Sequence, residues 1–86
     1  MSNKNSLIYK ILKKCINKAT LIDENDNVLK LKRINSNLFC YEILEKNNTI
    51  FGEISYDDLH TILNGYTYAY VDNIPYNIKE NGYDPI

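Results

Sequence analysis

Apolar positions in residues 6–19 recur with the period of a helix. Wound at about 100° per residue, the segment SLIYKILKKCINKA gathers its apolar and small side chains on one broad face: Leu7, Ile8, Ile11, Leu12, Cys15, Ile16 and Ala19. The opposite face is polar and carries Lys10, Lys13, Lys14, Asn17 and Lys18. Ser6 suits the N-cap, where its hydroxyl accepts from an otherwise unpaired amide. The segment is predicted to be an amphipathic helix.

From Thr20 onward the pattern changes to the alternation of strands. TLID, NVLKLKRI, NLFCYEILE and TIFGEIS are separated by the turn-rich segments ENDN, NSN and NN. Asn47 and Asn48 tolerate the left-handed conformation of a tight turn, so this pair predicts a hairpin. Four successive strands with short turns predict an antiparallel meander, with one face formed by Leu29, Leu31, Phe39, Tyr41, Ile43, Ile50 and Ile54.

A short second helix and a fifth strand are predicted next. Ser55 with Asp58 three residues later resembles a capping box, and Gly65 stands where a helix commonly ends. Tyr56, Leu59, Ile62 and Leu63 share one face over about two and a half turns. YTYAYV then alternates strictly, and the chain beyond Val71 is interpreted as a tail.

These elements predict a single α+β domain over residues 1–86, with flexible tails at 1–5 and 77–86. Its expected order is an N-terminal amphipathic helix, an antiparallel β-meander of four to five strands, and a second short helix before the last strand. A chain of 86 residues buries about 60–65% of its unfolded surface, enough to fold without metal or disulfide. An apolar content of 44% argues against disorder.

The cysteines and the apolar runs bear on the compartment. Cys15 and Cys40 stand alone in sequence, without a CxxC pair. No apolar signal sequence precedes the domain, and no apolar run is long enough to span a bilayer. A cytoplasmic protein with reduced thiols and no membrane contact is therefore expected.

Charge is distributed unevenly along the chain although the net charge is only −1. Residues 1–33 carry eight basic and three acidic residues, and residues 34–86 carry two basic and eight acidic ones. The halves therefore have charges of +5 and −6. Such an asymmetry indicates either a charged partner or neutralisation between the halves within the fold.

Groups suited to catalysis are sparse. His60 is the only histidine, with Asp57 and Asn64 at helical spacing, but the sequence selects no nucleophile or orienting partner. Neither metal-ligand spacing nor a glycine-rich phosphate loop is present in the sequence. The chain is therefore predicted not to be an enzyme and to use no cofactor or metal.

A basic stripe is the first candidate surface. It comprises Lys10, Lys13, Lys14 and Lys18 on the predicted helix and Lys30, Lys32 and Arg33 on the second strand. Lysines in such a stripe bind nucleic-acid phosphates in a salt-sensitive manner with little sequence specificity. The alternative is the ordinary solvated face of a helix whose other side packs on the sheet.

The tyrosine-rich segment GYTYAYVDNIPY is the second candidate surface. In a strand, Tyr66, Tyr68 and Tyr70 point to one side and Thr67, Ala69 and Val71 to the other. If the small residues face the core, the tyrosines form an exposed row, which is extended into an acidic aromatic patch by Asp72, Tyr76, Glu80, Tyr83 and Asp84. Tyrosine is enriched in protein interfaces. The inverted strand, with the tyrosines packed inward, is the alternative.

The combined features favour a non-catalytic binding protein. No family motif is matched, but in size, single-domain character and lack of catalytic motifs the chain resembles the small orphan proteins of phages and mobile elements, including anti-CRISPR and other anti-defence inhibitors. That resemblance covers no defined residues and implies only an inhibitor that occupies a surface of a larger protein. The acidic, Tyr-rich C-terminal face suits such a role, because it can compete for the basic groove of a nucleic-acid-binding protein. The alternative is a small nucleic-acid-binding regulator that uses the lysine stripe. Homodimer formation is a further expectation, because oppositely charged segments and an exposed strand can pair between chains.

Overall fold

A computed structural model describes residues 7–78 and the backbone of residues 84–85. One α-helix, α1 (Leu7–Lys13), precedes four strands, β1 (Lys18–Asp23), β2 (Val28–Asn35), β3 (Leu38–Glu45) and β4 (Asn48–Ser55). A 3₁₀ helix (Tyr56–Thr61) then leads to β5 (Tyr66–Val71), β6 (Ile74–Asn77) and the two-residue β7 (Asp84–Pro85). Within these residues, no helix has the length and apolar character to span a bilayer.

All strands join one antiparallel sheet in the order β4-β3-β2-β1-β5-β6-β7. The predicted meander is confirmed, because β1 to β4 pair in succession. The chain then leaves the β4 edge through the 3₁₀ helix and returns on the other side of β1, where β5 pairs. The mainly antiparallel α+β fold is thus confirmed, while the prediction of four to five strands was too low.

The core lies on one face of the sheet, called here the inner face. Register aligns its buried residues across four strands: Ala19, Leu21, Leu29, Leu31, Phe39, Ala69 and Val71. Ile8, Tyr9 and Leu12 of α1 pack against them, together with Leu59 and Leu63. Among the residues predicted to form this face of the meander, only Ile50 is exposed, while the others are buried or half-buried. It remains 44% exposed, because β4 lies at the sheet edge.

The second helix is a 3₁₀ helix of six residues, not the predicted two and a half turns of α-helix. Ser55 does cap it, accepting from the Asp58 N–H at 3.3 Å. A period of three aligns residues 56, 59 and 62 on one line, and that line faces the core. The Tyr56 ring stacks on Tyr9 at 4.5 Å, and its hydroxyl donates to the Tyr9 carbonyl at 2.8 Å. Burial, then the proximity of Tyr9, raises the pKa of Tyr56 to about 12.

Helix α1 ends at Lys13, six residues before the predicted end at Ala19. In a continued helix the Ile16 and Asn17 amides would donate to the Leu12 and Lys13 carbonyls. Both amides donate instead to the carboxylate of Asp72, each at 2.8 Å, and Lys18 N–H adds a third bond at 3.2 Å. The chain is thereby released from the helix and enters β1 at Lys18.

Arg33 satisfies the carbonyls at the end of α1. Its Nη2 donates to Leu12 O at 2.9 Å and to Lys13 O at 3.1 Å, and its Nε donates to Cys15 O. Its Nη1 donates to the carbonyls of residues 35 and 36 in the β2–β3 turn. The guanidinium carbon also lies 4.4 Å from the ring centroid of Phe39. The only arginine of the chain therefore ties the helix end to the sheet.

A hairpin replaces the tail predicted beyond Val71. Asp72 and Asn73 have φ angles of 51° and 71°, as a two-residue type I′ turn requires, and Val71 pairs with Ile74. The β3–β4 hairpin is confirmed, but Asn47 and Asn48 are not among the residues with positive φ. Predicted tail residues 1–5, 79–83 and 86 lie outside the described residues.

Replacing Arg33 with Met is expected to lower the free energy of unfolding by about 3 kcal/mol, because charged hydrogen bonds to several backbone carbonyls are lost. Arg33→Lys is also expected to destabilise, since an ammonium group cannot reproduce the planar fork of donors. Urea unfolding followed by circular dichroism measures both. Lys32→Met is the matched control and is expected to change stability by less than about 0.5 kcal/mol. Equal effects of Arg33→Met and Lys32→Met would contradict this role.

Acid is expected to weaken the Asp72 contacts. Burial alone raises the pKa of Asp72, but the amides of residues 16–18 outweigh it and hold the pKa below its ordinary value. A lowered folded pKa stabilises the fold above the unfolded pKa of about 3.9, and this contribution is lost as the pH falls through the folded pKa. Asp72→Asn is therefore expected to destabilise at pH 7 and to approach wild type in stability under acid. Unfolding titrations from pH 7 into the acid range test this, with Asp26→Asn at an exposed position as control. A difference in the free energy of unfolding between wild type and Asp72→Asn that does not change with pH would refute it.

Candidate functional site on the outer face of the sheet

The face of the sheet opposite the core, called here the outer face, has no layer packed on it among the described residues. Strand register assigns it Lys18, Thr20, Ile22, Val28, Lys30, Lys32, Cys40, Glu42, Leu44, Thr49, Phe51, Glu53, Tyr68, Tyr70, Pro75 and Asn77. Register places Tyr68, Ile22, Val28 and Leu44 in one apolar row across the sheet. Tyr70 and Phe51 lie at opposite ends of the neighbouring row, and the lysines of β1 and β2 lie between these two rings.

Tyr68 and Tyr70 point outward. They are 42% and 46% exposed, whereas Ala69 and Val71 between and beside them are buried. Tyr70 lies between Thr20 of β1 and Pro75 of β6, and Tyr68 lies opposite Ile22. Because β5 is paired on both sides, the two rings stand on a rigid part of the sheet.

Tyr66 leaves this row because β5 is irregular at its start. The register with β1 shifts between Ile22 and Asp23, so the alternation of side chains reverses there. Tyr66 packs against the core instead. Burial, followed by the charges of Asp23 and Glu45, raises the pKa of its phenol. The structure thus brings together two of the three tyrosines predicted to share a surface.

Asp72 and Tyr76 do not extend the tyrosine row. The Asp72 carboxylate is occupied by the amides of residues 16–18. Tyr76 is half-buried and packs against the core. Both residues line a groove of about 580 Å³ between α1 and the β5–β6 hairpin, where Lys10 and Lys14 lie on the opposite wall.

The predicted basic stripe is divided among several surfaces. Lys18, Lys30 and Lys32 lie on the outer face, on the adjoining strands β1 and β2. Lys10, Lys13 and Lys14 lie on and after α1, on the side of the inner face. Arg33 points to the inner side, where backbone carbonyls engage its guanidinium.

The outer face therefore combines residues from both candidate surfaces. Lys30 pairs in register with Thr20 on one side and Glu42 on the other, and Glu42 in turn pairs with Phe51. One row across the sheet thus runs from exposed Phe51 through an acidic and a basic residue to Tyr70. Sequence reasoning missed Phe51, which is 76% exposed, because its strand was not recognised as the sheet edge.

The candidate catalytic groups are engaged in packing. His60 meets the edge of the Tyr9 ring at 6.1 Å. Cys15 is buried, and burial, then the charge of Asp72, raises the pKa of its thiol to about 11. A thiol with so high a pKa is a poor nucleophile at neutral pH. Within residues 7–78, His, Cys, Asp and Glu form no group of three or more that could hold a metal ion.

Comparison of the chain with protein-family models, with curated proteins and with solved structures found no significant match.

Proposed function

We propose that this protein is a non-catalytic binding protein that occupies a surface of a larger protein with the outer face of its sheet. The observation that carries the proposal is the pair of exposed tyrosines, Tyr68 and Tyr70, on a sheet face that none of the described residues covers. Tyrosines that become buried on binding supply a large contact area at low cost in conformational entropy, and they are frequent hot spots of protein interfaces.

The surroundings of the two tyrosines favour a protein partner. Ile22 and Pro75 provide apolar contact beside the rings, while Lys30 and Glu42 provide charges of both signs nearby. An apolar centre with a charged rim is the usual composition of a protein interface. Charges of both signs also allow selection among partners through electrostatic complementarity.

The proposal moves the binding surface away from the acidic C-terminal patch that the sequence favoured. Asp72 ends α1, while Tyr66 and Tyr76 pack against the core, so these three residues support the β5–β6 hairpin. An inhibitor that works by covering a surface needs no reactive group. This is consistent with the resemblance to phage-encoded and mobile-element inhibitors, and we propose that mode of action here.

Capture from an extract of the source cells tests the tyrosine interface. Immobilised wild type is expected to retain a protein partner after nuclease treatment, and Tyr68→Ser/Tyr70→Ser is expected to reduce recovery about tenfold or more, since two hot-spot side chains are lost. Ile16→Ser is the matched control, because Ile16 is 83% exposed and lies off the outer face. Undiminished recovery by a folded double variant would eliminate this interface.

Single-stranded nucleic acid is the second candidate ligand. It is favoured by one observation: Lys18, Lys30 and Lys32 share the outer face with Tyr68 and Tyr70. Bases stack on exposed aromatic rings while lysines neutralise the phosphates, and such binding weakens steeply with salt.

Fluorescence anisotropy with a labelled oligothymidine checks this candidate. Binding is expected to be strongest at low salt and to weaken as the salt concentration rises. Lys30→Gln/Lys32→Gln is expected to reduce the slope of the logarithm of the binding constant against the logarithm of the salt concentration by about two, because two phosphate contacts are lost. Lys13→Gln/Lys14→Gln removes the same charge from another surface and serves as the control. Absence of binding by wild type at low salt would exclude the candidate, whereas equal losses in both variants would indicate nonspecific attraction.

A further inference from the structure

We propose that the free edge of β4 pairs with the same strand of a second copy of this chain, joining two sheets about a two-fold axis. Among the residues that the structure describes, β4 is the terminal strand of the sheet, and it has eight residues. Phe51 and Ile50 at its middle are 76% and 44% exposed. This inference concerns the edge of the sheet and does not depend on the ligand of the outer face.

The β4 edge has few of the features that usually prevent strands from pairing, and its one charged residue is Glu53. Proteins protect such edges with proline, lysine, bulges or very short strands. β4 contains no proline or lysine, and its register with β3 runs without a shift from Asn48 to Ser55. At the other side of the sheet, β6 has four residues and contains Pro75, and β7 has two and contains Pro85.

Hydrogen bonding within the β3–β4 hairpin determines which backbone groups face outward. The Tyr56 amide donates to the Asn37 carbonyl opposite it, at 2.8 Å. Since bonded and non-bonded pairs alternate along an antiparallel ladder, the even-numbered residues of β4 bond to β3. The N–H and C=O groups of Thr49, Phe51 and Glu53 therefore point away from the sheet.

The sequence of β4 is complementary to itself in the antiparallel direction. A two-fold axis at Phe51 places the two Phe51 rings side by side on the outer face, which is a favourable cross-strand pair. Thr49 then faces Glu53 of the second copy, so no like charges oppose each other within the strand. On the inner face, Ile50 of one copy meets Gly52 of the other, beside the Tyr41 ring that packs over Gly52.

Pairing of this kind would make the outer face bivalent. A two-fold axis perpendicular to the sheet joins the two outer faces into one continuous face. Nine strand spacings separate the two copies of β5, so the Tyr68–Tyr70 sites lie about 43 Å apart along the sheet. Because a sheet twists by about 20° per strand, the two sites point in different directions and would bind two partner molecules, or one large partner that reaches both sites.

Sedimentation velocity under reducing conditions, over a hundredfold range of concentration, tests the pairing. Wild type is expected to approach twice the monomer mass of 10.1 kDa. Phe51→Lys is expected to remain monomeric, because it places two lysines against each other at the axis. Thr49→Pro is also expected to remain monomeric, because it removes an amide that faces the edge and not one that bonds to β3.

Tyr70→Lys is the matched control, since Tyr70 is an exposed aromatic residue on a strand far from the edge, and it is expected to remain dimeric. Hydrogen exchange provides a second measurement: the amides of Thr49, Phe51 and Glu53 should be protected in concentrated wild type and exchange faster in folded Phe51→Lys. A wild type that stays monomeric throughout would overturn the proposal. A dimer that persists in both edge variants, or that Tyr70→Lys abolishes, would also overturn it.

Discussion

The exchange of two helical hydrogen bonds for contacts with Arg33 and Asp72 determines the path of this chain. Asp72 receives the amides of Ile16 and Asn17, and Arg33 donates to the carbonyls of Leu12 and Lys13. These four backbone groups would otherwise bond to one another as the next turn of α1. Each broken helical bond leaves one amide and one carbonyl without a helical partner. Asp72 accepts from the amides and Arg33 donates to the carbonyls, so the helix can end without a buried unpaired group.

The position of this ending matters because β1 begins immediately after it. β1 is the strand to which both β2 and β5 pair, and it contributes Ala19 and Leu21 to the core. A helix continued to Ala19 would remove the first two residues of that strand, and with them the pairing of Ala19 with Leu31 of β2 and with Val71 of β5. The two charged side chains come from these two parts, Arg33 from β2 and Asp72 from the hairpin turn. The helix end consequently depends on the assembled sheet, and the sheet depends on where the helix ends.

Local patterns in the sequence were sufficient to predict most of the helices and strands, but they did not predict where α1 ends. Alternation identified β2, β3 and β5, because the core residues of each strand are neighbours on one face. The apolar periodicity of residues 6–19 predicted too long a helix. Cys15 and Ala19 are buried, as the periodicity suggests, but Cys15 lies in the connection after α1 and Ala19 lies in β1. The partners that end the helix are distant in sequence. β6 was missed although Asp72-Asn73 follows an alternating strand and suits a type I′ turn.

The candidate site was predicted in part for the same reason. Alternation placed Tyr68 and Tyr70 together, but the irregular register at Asp23 turned Tyr66 toward the core, and no feature of single residues signals such a shift. Sequence separation also made the tyrosines and the lysines of β1 and β2 look like different surfaces. The return of the chain from β4 to the far side of β1 brings the tyrosines and the lysines onto one face.

Both proposed interfaces follow from the small number of helices relative to strands. Six spacings of about 4.8 Å make the seven-stranded sheet about 29 Å wide, whereas a helix is about 10–12 Å across. Helix α1 and the 3₁₀ helix can therefore cover one face only, and even there Ile50 on β4 remains exposed. Within the described part of the chain, the exposed apolar residues of the sheet include Tyr68 and Tyr70 on the outer face and Phe51 and Ile50 at the edge. Contacts with other molecules would cover these side chains, and this is what the two proposed interfaces have in common.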